Sequence, residues 1–335
     1  MKPKLKCYVC LEPIEGKSDE RIIPNCIGGK LKAPLLCKKH NNEFGSKAEG
    51  IFAKKMNPFC NILDIKRERN DIPDQPVIYQ PTNKVVYMKA GGGLESKNFS
   101  YEVIRNGDQV DLHIHAPDTD IRKTRKHLDG LKRIYPGLDV EKTLAELKKD
   151  SSHDTHAIKL EIDLTGIEIQ QITAKTAVNF FMYHGGDRKY VSKLIASLQT
   201  GQKVPVYLSR PTKPVFDNPS GCYLHKLLLI GSKEEKLLYC IVEFFNTLSF
   251  VAILNGQYDG KSMHFSYFLD PVEGSEKNIK FRIPNAKEFI PMIKDKEAAT
   301  ENARTRINQF MDEAFQKKNE SLKTKRAVKS PTPKV

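Results

Sequence analysis

Cys7-x-x-Cys10 and Cys37-x-x-His40 are the residues of this chain whose types and spacing speak most directly of chemistry. Each pair is a knuckle that can turn two soft or borderline donors toward one ion. Two knuckles together supply the four ligands of a closed tetrahedral zinc site. A lone CxxC arises easily by chance, whereas the paired arrangement points to metal. The chain holds seven cysteines and is expected in the cytosol, where thiols stay reduced and a disulfide framework is not expected. Cys26, Cys60, Cys222 and Cys240 fall outside the pattern and read as buried thiols.

Between and around the knuckles runs an ordered set of residues. Glu20-Arg21-Ile22-Ile23-Pro24 comes first, then Gly28-Gly29-Lys30, then Leu36-Cys37-Lys38-Lys39-His40-Asn41-Asn42-Glu43-Phe44-Gly45. Over residues 5–47 this order resembles the HNH endonuclease family, in the subgroup with two zinc knuckles around a ββα-metal core. The basic segment "DIKRER" at 64–69 resembles that subgroup too, and "AKTAVNFF" does so loosely. The resemblance implies that Glu20 and Asn41 hold one magnesium or manganese ion, a hard cation suited to oxygen ligands. That ion would stabilise the phosphodiester transition state and the leaving oxygen. The resemblance also implies a histidine general base beside the acidic residue, because an imidazole near its pKa can take a proton at neutral pH. Here that position is Arg21, and a guanidinium stays protonated.

His40 closes the second knuckle where the subgroup has cysteine. Zinc accepts the exchange, and a lone pair committed to zinc cannot act as a base. His184, in "FMYHGGDRKY", reads as a helix-end histidine. Arg21 leaves three readings open. Catalysis was lost and a nucleic-acid grip kept; another base acts while Arg21 clamps the scissile phosphate; or an original histidine was replaced to inactivate the protein.

Net charge is +14, from 55 basic and 41 acidic residues, which favours a polyanionic partner. Around the motif lie Lys30, Lys32, Lys38, Lys39, Lys54, Lys55, Lys66, Arg67 and Arg69. Of these, Lys30, Lys32, Lys38, Lys39, Lys66, Arg67 and Arg69 are the candidate contacts to the phosphates of duplex DNA, setting position without reading bases. The alternative for them is a solvated face. Trp is absent and no aromatic ladder for stacking single strands is evident.

The elements that must position these residues are expected to be α+β: an N-terminal zinc-stabilised ββα-metal module, then a larger domain with an antiparallel sheet and a C-terminal helix. Residues 1–60 are the expected module, and 61–95, broken by Pro73, Pro76 and Pro81, a linker or extended excursion. Residues 96–295 form the larger domain. In it "FSYEVI" and "QVDLHIHA" predict a hairpin about Asn106-Gly107-Asp108, and "DTDIRKTRKHLDGLKRIYPG" and "DVEKTLAELKKD" predict helices, the first capped by Asp118 or Thr119. "AIKLEIDLTG" predicts a strand, "TAKTAVNFFMYHGG" a buried helix, and 223–271 a run of strands. An amphipathic helix at 296–320 and a disordered basic tail from Leu322 complete the chain. The basic N-terminus lacks an apolar stretch, so it is not expected to act as a signal peptide, and no apolar run is long enough to span a membrane.

Two classes of function follow. The first is a metal-dependent HNH-type endonuclease cleaving phosphodiester bonds, impaired or inactivated at Arg21. The second is a non-catalytic zinc-stabilised DNA-binding or regulatory protein. A third reading has the 96–295 domain answer a partner protein or a trigger, such as a small ligand or a phage component, as in phage defence.

Overall fold

A computed structural model describes residues 5–329 apart from 17, 47, 69–70, 81–82, 97–98, 107–108, 117–120, 147–157, 161, 165, 210–212, 220 and 290–295. The chain divides into two compact units. One comprises Met1–Cys60, Ile65–Asp71 and Asp163–Ala314, the other Asn61–Asp64, Ile72–Ile162 and Phe315–Val335.

The first unit opens with two short antiparallel strands, β1 (Glu20–Arg21) and β2 (Lys32–Ala33), registered Glu20 to Ala33 and Arg21 to Lys32. The turn between them depends on its glycines. Gly28 has φ +87°, and a Cβ at Gly29 would lie 1.9 Å from the Ile23 carbonyl oxygen. No other residue type fits there without moving backbone. Two helices follow, α1 (Lys38–Ser46) and α2 (Ala48–Leu63). Phe52, Met56 and Phe59 on α2 are fully buried.

Where the sequence predicts a linker or extended excursion at 61–95, the second unit has paired strands. β3 (Gln75–Tyr79), β4 (Lys84–Met88) and β5 (Leu94–Glu95) make most of a four-stranded antiparallel sheet of order β5-β4-β3-β8. The prolines that suggested a linker exclude helix but not strand. β8 pairs only with Ile78 and Tyr79, which leaves that edge of β3 open at Pro76, where proline is tolerated. The predicted hairpin is present as β6 (Ser100–Asn106) and β7 (Gln109–His115), paired throughout. Its turn residues Gly107 and Asp108 lie outside the described residues, as do the candidate caps Asp118 and Thr119. Helices α3 (Ile121–Ile134) and α4 (Val140–Glu146) stand where predicted. Leu128, Leu131 and Val140 join Phe99, Ile114 and Leu144 in this unit's small apolar cluster. The strand predicted in "AIKLEIDLTG" narrows to β8 (Ile158–Lys159).

The chain then returns to the first unit. α5 (Ile167–Tyr183) is buried nearly all round, and α6 (Ser192–Gln199) follows it. β9 (Val206–Leu208), β10 (His225–Ser232), β11 (Leu237–Phe244), β12 (Leu248–Asn255), β13 (Met263–Asp270) and β14 (Ser275–Glu276) form an antiparallel sheet of order β14-β13-β10-β11-β12-β9. One face packs on α5. The other holds Leu228, Ile230, Tyr239, Ile241 and Phe268 against Val215, Ile279 and Phe289. Covered on both sides, β10 and β11 read as continuous apolar runs.

The last helix, α7 (Lys296–Lys329), is longer than predicted and takes in residues 322–329, which the sequence suggested were disordered. That stretch is lysine-rich but has no Gly or Pro before Pro331, so nothing in it stops a helix. The fold is thus α+β with antiparallel sheets and a C-terminal helix. The units divide the chain after Cys60, at an expected boundary, but not at 95 or 295. Residues 1–60 share a unit with 163–314, and side chains of α5 reach into the knuckle and β1.

Candidate metal centre

Cys7 and Cys10 lie on the turn closed by the Lys6–Pro13 β-bridge, and Cys37 and His40 at the start of α1. Their donor atoms all fall within 4.8 Å of one another. Cys7 Sγ is 3.6 Å from His40 Nδ1, Cys37 Sγ is 3.2 Å from the same nitrogen, and Cys10 Sγ is 4.0 Å from Cys37 Sγ. A tetrahedron with Zn–S arms of about 2.3 Å and a Zn–N arm of about 2.0 Å has edges of roughly 3.5–3.8 Å. The four residues could therefore hold a metal ion such as zinc, and they are the ones the spacing named.

Local structure prepares these donors. Burial pushes the Cys7 thiol up, but backbone N–H groups of Cys37, Cys10 and Val9 point at its sulfur and leave it below the usual thiol range. His40 Nε2 faces Glu43 Oε2 at 3.8 Å, so the carboxylate sits on the ring's far side from the cluster. Arg188 donates to the carbonyls of Tyr8 (2.5 Å) and Val9 (3.3 Å), fastening the first knuckle.

Cys26, Cys60 and Cys240 are thiols with pKa values raised by burial, Cys60 to about 11, and none of them belongs to the cluster. Cys60 Sγ donates to the Cys26 carbonyl at 3.4 Å. Cys222 is half-buried.

The motif residues between the knuckles divide by strand alternation. Glu20 points inward, where its carboxylate takes Lys175 Nζ at 2.8 Å and Asn179 Nδ2 at 3.2 Å. Lys175 also meets Glu49 Oε1 at 2.7 Å, and Asn179 accepts from the Tyr8 hydroxyl at 2.8 Å. Burial raises the Glu20 pKa, with Lys175 and Asn179 opposing it. Arg21 points the other way and pairs with Glu68, which also takes Lys32 at 2.9 Å. Hydrogen bonds from these two cations hold the exposed Glu68 carboxyl at about 2. Asn41 is half-buried in the first turn of α1. Among the described residues no hydrogen bond or ion pair links it to Glu20.

The candidate phosphate contacts are dispersed. Lys38 and Lys39 are exposed on α1, with Lys39 3.9 Å from Glu43. Lys30 is half-buried beside Gly274, and Lys66 is exposed. Arg67 turns inward to donate to Asn57 Oδ1 at 3.1 Å. Lys55 pairs with Asp163 at 2.5 Å, and Lys54 is exposed on α2. Arg69 lies outside the described residues. His184 ends α5 with its ring stacked 3.9 Å from Phe265, as a helix-end histidine.

Sequence reasoning missed Lys175, Asn179, Glu49, Tyr8 and Arg188. One signal was present. Lys175 and Asn179 stand four apart in an otherwise apolar helical run, so they share a face and need buried partners. His225 was also missed. Its Nδ1 accepts from the Phe245 N–H at 3.3 Å, so Nε2 donates to the Ile27 carbonyl at 2.8 Å. That bond braces the turn that carries Gly28 and Gly29.

Comparison of the chain with family models, with curated proteins and with solved structures finds no match.

Proposed function

We propose that this chain is a nucleic-acid-binding protein built on an HNH-type ββα-metal module, in which the hydrolytic centre is silenced. The observation that carries the reading is an order of parts. A knuckle, a strand with Glu20-Arg21, a glycine turn, a second strand, a second knuckle and a helix carrying Asn41 follow one another, and both knuckles meet in one four-donor cluster. Zinc would be held by Cys7, Cys10, Cys37 and His40 and would tie the chain's N-terminus to α1. Arg21 cannot accept a proton from water at any physiological pH. Lys175 occupies the carboxylate that a magnesium or manganese ion would need. Arg21 and Lys32 instead converge on a single exposed carboxylate, an arrangement that suits a phosphate equally well.

An impaired endonuclease is the second reading, favoured by the presence of Glu20, both glycines and Asn41 together. Nicking of supercoiled plasmid with magnesium or manganese separates the two. The unaltered chain should bind duplex without cutting it. On the impaired-endonuclease reading Arg21→His should bring back cleavage that rises through the imidazole pKa and disappears in Arg21→His, Asn41→Ala; on the silenced reading it should not, because Lys175 still engages Glu20. Restoring a general base is worth about 10²–10⁴-fold. Efficient cutting by the unaltered chain, indifferent to Arg21→His, would place the base elsewhere and remove this account of the motif.

A further inference from the structure

Helix α3 of the second unit carries six basic side chains and one acidic one in 14 residues, a net charge of +5. Its buried stripe is Thr124, Leu128 and Leu131, packed toward the hairpin and α4. At about 100° per residue, Arg122, Lys126 and Arg133 fall within roughly 30° of the direction opposite that stripe. All three are exposed, and they form one row along the helix. With a rise of about 1.5 Å per residue, Lys126 stands about 6 Å from Arg122 along the axis, and Arg133 about 10 Å further on. Arg125, off the row, is held by Glu141 through both carboxylate oxygens. Among the described residues, none of Arg122, Lys126 or Arg133 pairs with a carboxylate. Like charges four apart repel, so Arg122 and Lys126 disfavour the helix itself, and exposed Asp129, between Lys126 and Arg133 in sequence, is the one acid beside the row.

We infer that the exposed row of α3 is a docking surface for the phosphate backbone of duplex nucleic acid, with Arg122, Lys126 and Arg133 as its contacts. The inference rests on the nucleic-acid reading above and adds a second contact region, on the unit that does not hold the metal cluster. The charge complementarity is direct: a duplex carries about one negative charge per 1.7 Å of axis, and three exposed cations in a row meet that dense polyanion. The helix would sit against the backbone and set position, with no base readout.

The test uses the full chain and a short labelled duplex. Binding is measured by fluorescence anisotropy over a series of salt concentrations. Each phosphate contact contributes about 0.9 to the slope of log K against log[salt], so Arg122→Gln, Lys126→Gln, Arg133→Gln should reduce its magnitude by about 2.7. A control removes the same charge from the first unit, at exposed Lys203, Lys233 and Lys261, and should leave the slope nearly unchanged. Circular dichroism checks that the α3 variant remains folded. If it does not, Lys126→Gln alone should still lower the slope by about 0.9. An unchanged slope overturns the inference. So does equal flattening in the control, which would mean diffuse charge, or tighter binding to vesicles of anionic lipid than to duplex. Flattening without any cleavage by Arg21→His would leave this surface standing while the nuclease account of the motif fails.

Discussion

Replacing Lys175 with methionine should destabilise the first unit by about 3–5 kcal/mol, the usual cost of leaving one partner of a buried ion pair alone. Lys175 and Glu20 have side chains only 4% and 6% exposed, so neither can regain water without opening the packing of β1 on α5. Methionine keeps most of the methylene volume, which confines the loss to charge. Without the ammonium, the Glu20 carboxylate retains one donor, Asn179 Nδ2 at 3.2 Å. Glu49 is 31% exposed and can rehydrate, so most of the cost falls on Glu20. The effect should depend on pH in a definite sense. Burial already raises the Glu20 pKa, and loss of Lys175 raises it further. Above the ordinary carboxyl pKa the unfolded chain has released that proton while the folded variant still holds it, so stability falls as pH rises. Urea unfolding should therefore show a larger gap between variant and parent near pH 8 than near pH 5. Tyrosine fluorescence and far-UV circular dichroism suit the measurement, since the chain lacks Trp. A gap below about 1 kcal/mol, or one independent of pH, would mean that Glu20 is solvated in solution and free to take a metal.

Two further outcomes are expected. Elemental analysis should find about one zinc per chain, and a chelator or Cys37→Ser should unfold residues 5–46 first, seen as loss of amide protection there, because so small a region has little core besides its metal. His225 should make the chain acid-sensitive: burial, offset only in part by its bond to Ile27, lowers its pKa to about 4, so the unfolded chain takes up a proton near pH 6.5 while the folded one does not. Stability should fall by about 3 kcal/mol between those pH values, and comparison with His225→Gln, which lacks that titration, should isolate it.

The four-donor Cys/His cluster was legible because metal geometry demands fixed donors at fixed spacing, and a CxxC keeps that signature whatever surrounds it. The hairpin, α3 and α4 were legible for a similar reason, since each is specified by its own periodicity. β3 to β5 were not. The prolines about them looked like breaks, and only the pairing with β8, across some eighty residues, shows why a strand tolerates Pro76 there. The buried environment of Glu20 was hidden for the same physical cause. A carboxylate at an expected metal position looks alike whether its partner is an ion or an ammonium, and Lys175 lies far away in sequence. His225 on β10 sits in a run that reads as pure core, and its role depends on a carbonyl in another element.

On the reading proposed here, adjacent residues of β1 have separate work. Strand geometry sends Glu20 and Arg21 to opposite faces. The inward face is closed by Lys175, Asn179, Glu49 and Tyr8, a set of charges and hydrogen bonds that ties the module to α5. The outward face carries Arg21 beside Lys32, both on an exposed carboxylate that surrounding water screens and a stronger anion can displace. A histidine at position 21 would give that face a proton acceptor but only a fractional positive charge at neutral pH. Arginine gives it a permanent charge and a planar fork of donors, at the loss of the proton acceptor. Arginine at position 21 thus favours grip over chemistry, and the buried lysine behind it keeps the neighbouring carboxylate engaged in holding the fold.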